Sequence, residues 1–241
     1  MITDDIPLSE GPRPYYTDDR DFGHFSDHVT VWVDIHIGME DSYADFKAKF
    51  NNNIQVLQSN NINEEEIDDD SILCANPDML KKLSDEVYCL KYFPTIEKGL
   101  EYILKNSDKK IFFISSGTIG KIIVPQIANL PQIQGIYIFC GNISYHTEWA
   151  GEYAENISGM FEHQDNLLER LTRDIAAYVE RKGDQYKTNE AILPARNCYA
   201  WSKKLLIRAK QVGDSGTTKL IDNITKKINE LEIPAACQGE N

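Results

Sequence analysis

The chain has 241 residues, 41% of them hydrophobic and 26% charged, which is ordinary globular usage and excludes collagen-like, coiled-coil and wholly disordered classes. Its 38 acidic residues outnumber 25 basic ones, and the net charge of -13 is local: up to Asp85 there are 19 acids and 6 bases, and from Glu86 onward 19 of each. A first third of that charge would repel phosphate, so nucleic acid and anionic membrane are not expected as partners, and no apolar run nears the roughly 18 residues of a membrane span.

Residues 1–27 hold Pro7, Pro12, Pro14 and many aspartates and read as an acidic tail, with Tyr15, Tyr16, Phe22 and Phe25 able to touch the body. The opening Met-Ile-Thr-Asp-Asp has no basic-then-apolar signal pattern, and the odd set Cys74, Cys89, Cys140, Cys198 and Cys237 contains no CxxC pair. Both point to a cytoplasmic protein with reduced thiols and no metal site, Cys89 and Cys140 being small core residues inside strands.

Val29 to Ile37 is rich in β-branched residues and reads as a strand, with Asp34 near its end. Asp41 to Phe50 reads as a helix carrying Tyr43, Phe46 and Phe50 on one side, stopped by Asn51-Asn52-Asn53. Residues 54–84 contain Glu64-Glu65-Glu66 and Asp68-Asp69-Asp70 and read as an acidic surface insertion with one short helix near Met79. Val87 to Phe93 reads as a strand. Pro94 fits the first position of a helix whose stripe is Ile96, Leu100, Ile103 and Leu104.

Lys110 to Ser115 and Gly135 to Cys140 are continuous apolar runs, the signature of strands buried on both faces. Between them Thr118 to Leu130 reads as a helix that Pro125 should kink or shorten. Ile157 to Phe161 is a fifth strand, and Asp165 can cap a helix with the stripe Leu168, Leu171, Ile175 and Val179. Five alternations of strand and helix predict an α/β, doubly wound, five-stranded parallel sheet of flavodoxin-like order 2-1-3-4-5 over residues 28–183. Residues 184–241 predict a C-terminal helical hairpin. Its first helix, Glu190 to Val212, carries a basic face of Lys203, Lys204, Arg208 and Lys210. After a turn at Gly213 to Gly216, the second repeats Ile221, Ile224, Ile228 and Leu231.

Ligands of such sheets bind beyond the C-terminal strand ends where strand order reverses. The loops there offer Asp34 and the turn Ser115-Ser116-Gly117-Thr118-Ile119-Gly120-Lys121, whose small residues, hydroxyls and ammonium could cradle an anion at a helix N-terminus. The Walker spacing is absent. On the structural reading the glycines permit a tight turn and Ser115 or Ser116 caps the helix. The loop after the fourth strand adds Asn142, His146 and Glu148, with His146 and Glu148 as an acid–base pair or as a polar loop anchored by a buried Trp149. His24, His28, His36 and His163 read as surface or capping histidines.

The segments Val31-Trp32-Val33-Asp34, Ile111 to Pro125, Ile136 to Cys140 and His163 to Leu168, with Tyr199-Ala200-Trp201-Ser202-Lys203, resemble an N-terminal domain of invertebrate multidomain proteins. In those proteins the domain often accompanies mono-ADP-ribosyltransferase domains or tetratricopeptide repeats. The resemblance spans about Val29 to Lys210 and implies a TIR-like or receiver-like fold. A receiver needs an aspartate after the third strand, where this chain has Ser115-Ser116-Gly117. A TIR-type NAD hydrolase needs a helix glutamate, and Thr118 to Leu130 holds no acid, Glu148 being the nearest. The Glu-x-Glu spacing of a transferase occurs only at Glu64-Glu65-Glu66 and Glu230-Leu231-Glu232, outside its usual order, and the chain ends after the hairpin.

The expectation is a non-catalytic, cytoplasmic protein-interaction and signalling module without cofactor. It would bind a protein partner or a second copy through the hairpin and the acidic insertion. The alternatives are a nucleotide- or NAD-binding enzyme, NAD-cleaving through Asp34 and Glu148, or a fragment of an ADP-ribosyltransferase-linked protein.

Overall fold

The computed structural model describes residues 27–39, 42–54, 88–212 and 216–231. In chain order these form β1 (His28–Val33), α1 (Ala44–Ile54), β2 (Leu90–Phe93), α2 (Ile96–Lys105), β3 (Lys110–Ser116) and α3 (Gly117–Ile127). They continue with β4 (Ile133–Phe139), a 3-10 turn at Ile143–Tyr145, α4 (Thr147–Gly151), β5 (Ile157–Phe161), α5 (Gln164–Thr188), α6 (Ile192–Val212) and α7 (Thr218–Asn229). The expected tail except Asp27, most of the acidic insertion and its short helix, and the turn residues 213–215 lie outside the described residues.

All five strands pair in parallel in the order β2-β1-β3-β4-β5, so the chain is flavodoxin-like α/β. Alternation along each strand divides the core into two layers. Trp32, Phe112, Ile114 and Tyr137 face α1, α5, α6 and α7. Val29, Val31, Val33, Ile111, Phe113, Ile136 and Ile138 face α2, α3 and α4. The central strands read as unbroken apolar runs because both of their faces are covered.

The C-terminal hairpin spends its apolar stripes on this body. Ser202 Oγ donates to the Ala176 carbonyl at 2.9 Å, joining α6 to α5. Ile224 and Ile228 of α7 belong to the same buried layer. Lys227 donates to Glu180 at 2.8 Å and to Asp184 at 2.7 Å, and the Tyr199 hydroxyl donates to Asp184 at 2.7 Å.

Several element ends differ from the sequence reading. β1 stops at Val33, because Asp34 starts a turn in which the His36 N–H bonds its carboxylate at 2.8 Å. α1 begins at Ala44 and runs through the three asparagines, since Phe46, Phe50 and Ile54 stay buried at helical spacing. Pro94 lies before Thr95, whose hydroxyl caps α2, and Leu104 points outward. His163, not Asp165, occupies the N-cap position of α5, and Asp165 pairs with Lys49 at 2.6 Å. Cys89 precedes β2 and Cys140 follows β4. His28 is a buried core residue, ringed by Tyr88, Phe112 and Tyr178.

Candidate functional site

The parallel register brings the switch-point loops side by side. Val33 pairs with Ser115, and Ser116 with Phe139, so Asp34, Ser116 and Cys140 lie at the C-terminal edge of neighbouring strands. Both sides of this edge are filled by the chain's own side chains.

On the α1 side, Asp34 is buried and its carboxylate accepts the His36 N–H and the Tyr43 hydroxyl. Burial, the Asp34 charge and that hydrogen bond together raise the Tyr43 phenol above its ordinary range. Tyr43 sits at φ 58°, a left-handed backbone unusual for a bulky residue. Its ring lies 4.9 Å from Trp32 and 6.1 Å from Phe139, forming a roof over β1 and β4. Lys47 secures the turn before α1 by donating to the Ile37 carbonyl at 2.7 Å.

On the α3 side the two turn glycines are sites of close approach. A methyl group on Gly117 would stand 2.3 Å from both Cδ2 and Nε2 of His146. One on Gly120 would stand 2.9 Å from Ile138, 3.0 Å from Trp149 and 3.1 Å from Ser115 Oγ. Trp149 is buried, and its indole N–H donates to His146 Nδ1 at 3.4 Å. A neutral His146 therefore carries its proton on Nε2, the nitrogen beside Gly117. Asn142 Oδ1 accepts the Ser144 N–H at 3.0 Å, and Glu162 accepts the Ile143 N–H at 3.2 Å, so the loop below is self-braced.

The candidate residues separate accordingly. Asp34 meets Tyr43; Gly117 meets His146; Gly120 meets Ser115 and Trp149. Thr118 and Lys121 are exposed at the start of α3, Asn142 is exposed just before the 3-10 turn, and Glu148 is exposed on α4. Neither serine caps α3 as expected: Ser116 holds the N-cap position without a side-chain bond, and buried Ser115 Oγ has no hydrogen-bond partner among the described residues. Burial pushes the Cys140 thiol up, and Glu162 reinforces this against a backbone bond from Asn142, so it stays a protonated, weak nucleophile.

A polar cluster absent from the sequence reading lies at the opposite, N-terminal edge of the sheet. Tyr178 and Lys182 donate to Asp27 Oδ2 at 2.6 and 2.5 Å, and His28 Nδ1 lies 3.5 Å from Asp27 Oδ1. Burial pushes the Asp27 carboxyl up, but His28 and Lys182 overcome it and hold the group well below the usual carboxylate range. Burial also pushes the Cys198 thiol up to about 12, which makes it inert beside this cluster. Tyr178 is 151 positions from Asp27, a separation no local pattern reveals.

Among the described residues no group of three or more His, Cys, Asp or Glu could hold a metal ion, and no helix is long and apolar enough to cross a membrane. Comparison of the chain with protein-family models, curated proteins and solved structures gives no match.

Proposed function

We propose that the protein is a non-catalytic, TIR-like interaction and signalling module of the cytoplasm, working through a protein partner or a second copy of itself. One observation carries this reading. The strand-end edge where a nucleotide would lodge is filled by His146 over Gly117, Trp149 against Gly120 and Tyr43 bonded to Asp34. A side chain already in place has to be expelled before a ligand can use the same backbone.

The contact face in this reading is the apolar rim beside that edge. Ile35 is 65% exposed, Met39 57% and Tyr145 81%, all in loops after β1 and β4. Exposed apolar side chains on turns lose little when covered by a protein surface and gain by leaving water. The apolar stripes of the hairpin are already buried on the body, so the rim takes the role expected of it.

The competing nucleotide-binding reading draws on the first turn of α3, where Ser116 makes no side-chain cap bond. Sedimentation velocity over a concentration series, with and without NAD, separates the two. Reversible association is expected for the wild type, weakened in an I35E/Y145E variant and indifferent to NAD. A chain that stays monomeric at every concentration and is stabilised by NAD would overturn the proposal.

A further inference from the structure

The exposed apolar side chains of this protein are not scattered. Seven large ones stand out among the described residues, and five of them, Ile35, Met39, Tyr92, Ile122 and Tyr145, lie at the C-terminal end of the sheet. They sit on the loops after β1 and β4, near the end of β2 and in the second turn of α3. Singly such residues are ordinary, but a concentration at one end marks a contact surface. The ionisable groups around them include both signs: Lys98 and Lys121 near the starts of α2 and α3, Glu97 and Glu148 near the starts of α2 and α4. A surface of one sign repels its own copy, whereas a mixed one can be complementary to itself.

Lys121 and Glu148 have the arrangement that self-complementarity needs. Gly117 and Lys121 are four residues apart and share one side of α3. His146, which covers Gly117, comes two residues before Glu148. The two charges therefore flank one corner of the edge, Lys121 beside Ile122 and Glu148 three residues on from Tyr145. Both are exposed, and neither side chain has an ion-pair or hydrogen-bond partner among the described residues. A two-fold axis passing beside Tyr145 sets Lys121 of one copy against Glu148 of the other and repeats the contact in reverse, so both charges of both copies are paired.

We propose that the protein binds a second copy of itself through an isologous contact at the C-terminal end of its sheet, with Tyr145 at the centre and two reciprocal Lys121–Glu148 ion pairs beside it. The proposal rests on the self-association reading above and adds the residues by which the surface recognises its own copy.

Charge reversal tests it. In sedimentation velocity, K121E and E148K should each raise the dissociation constant of the wild-type dimer about tenfold, because every reciprocal pair becomes a pair of like charges. An equimolar mixture of K121E at natural isotope content and ¹⁵N-labelled E148K should regain wild-type affinity as a heterodimer, identified by mass in native mass spectrometry, since both contacts then join opposite charges. The loss and the recovery should both shrink in 1 M salt, where the screening length is only about 3 Å. Wild-type association that neither reversal weakens would leave self-association standing and overturn the assignment to Lys121 and Glu148. Two weakened variants with unchanged urea midpoints that fail to recover on mixing would overturn it as well. A wild type that stays monomeric at every concentration would overturn both this proposal and the reading on which it rests.

Discussion

The imidazole of His146 occupies the space that a side chain at position 117 would need: Nε2 and Cδ2 lie 2.3 Å from where a Gly117 methyl would stand. The ring cannot simply swing away, because Trp149 holds its other nitrogen at 3.4 Å and is itself buried under α3. Gly117→Ala should therefore cost about 1–3 kcal/mol, the usual range for overpacking. In the His146→Ala background the same change should cost much less. Urea unfolding of the four proteins measures the coupling, and additive effects would mean that the glycine is there for another reason.

Asp34 and Tyr43 form the matching contact on the α1 side. Tyr43→Phe leaves the packing against Trp32 and Phe139 intact and removes only the hydroxyl that the carboxylate accepts. A loss of about 1–2 kcal/mol is expected, since a buried acceptor loses one of its donors. An unchanged urea midpoint would show that the bond contributes nothing.

Stability should fall on both sides of neutrality for identifiable reasons. Burial raises the Cys198 thiol from 9.0 to about 12, and burial and Asp174 raise the Tyr137 phenol well above 10.0. Above pH 9 the unfolded chain releases protons that the folded chain keeps, so folding weakens as pH rises, by up to about 1.4 kcal/mol per pH unit for each such group. Cys198→Ala should flatten the alkaline slope between pH 9 and 12. On the acid side the sign reverses. Asp27 is held below its ordinary 3.8, so its contribution is complete above that value and is lost as pH falls beneath it. Asp27→Asn should remove that part of the acid transition, and urea midpoints at a series of pH values check both.

The layered core was legible because β3 and β4 are built around the runs Ile-Phe-Phe-Ile at 111–114 and Ile-Tyr-Ile-Phe at 136–139, and because Leu168, Leu171, Ile175 and Val179 repeat as a helix requires. Local stop and start signals were weaker guides. Asn51 to Asn53 do not end α1, since burial of Ile54 outweighs asparagine's modest helix preference, and Asp165 meets Lys49 where a cap was expected. Of the site, Asp34, the glycine turn and the anchoring Trp149 could be picked out from residue type and position. What fills the edge could not. The Tyr43–Asp34 bond depends on a left-handed residue before α1, and the Gly117–His146 contact joins two loops that only the sheet register brings together.

The central claim is that the strand-end edge is structure and not a pocket for a small molecule. Thermal unfolding in the presence of NAD, ADP-ribose, ATP and cyclic nucleotides tests it most directly. A ligand at 100 times its dissociation constant stabilises by about 2.7 kcal/mol, a shift no such scan would miss. The expected result is a melting temperature unchanged by every compound. A clear rise with any one of them, abolished by Lys121→Ala, would contradict the account and make the turn from Ser115 to Lys121 a binding site.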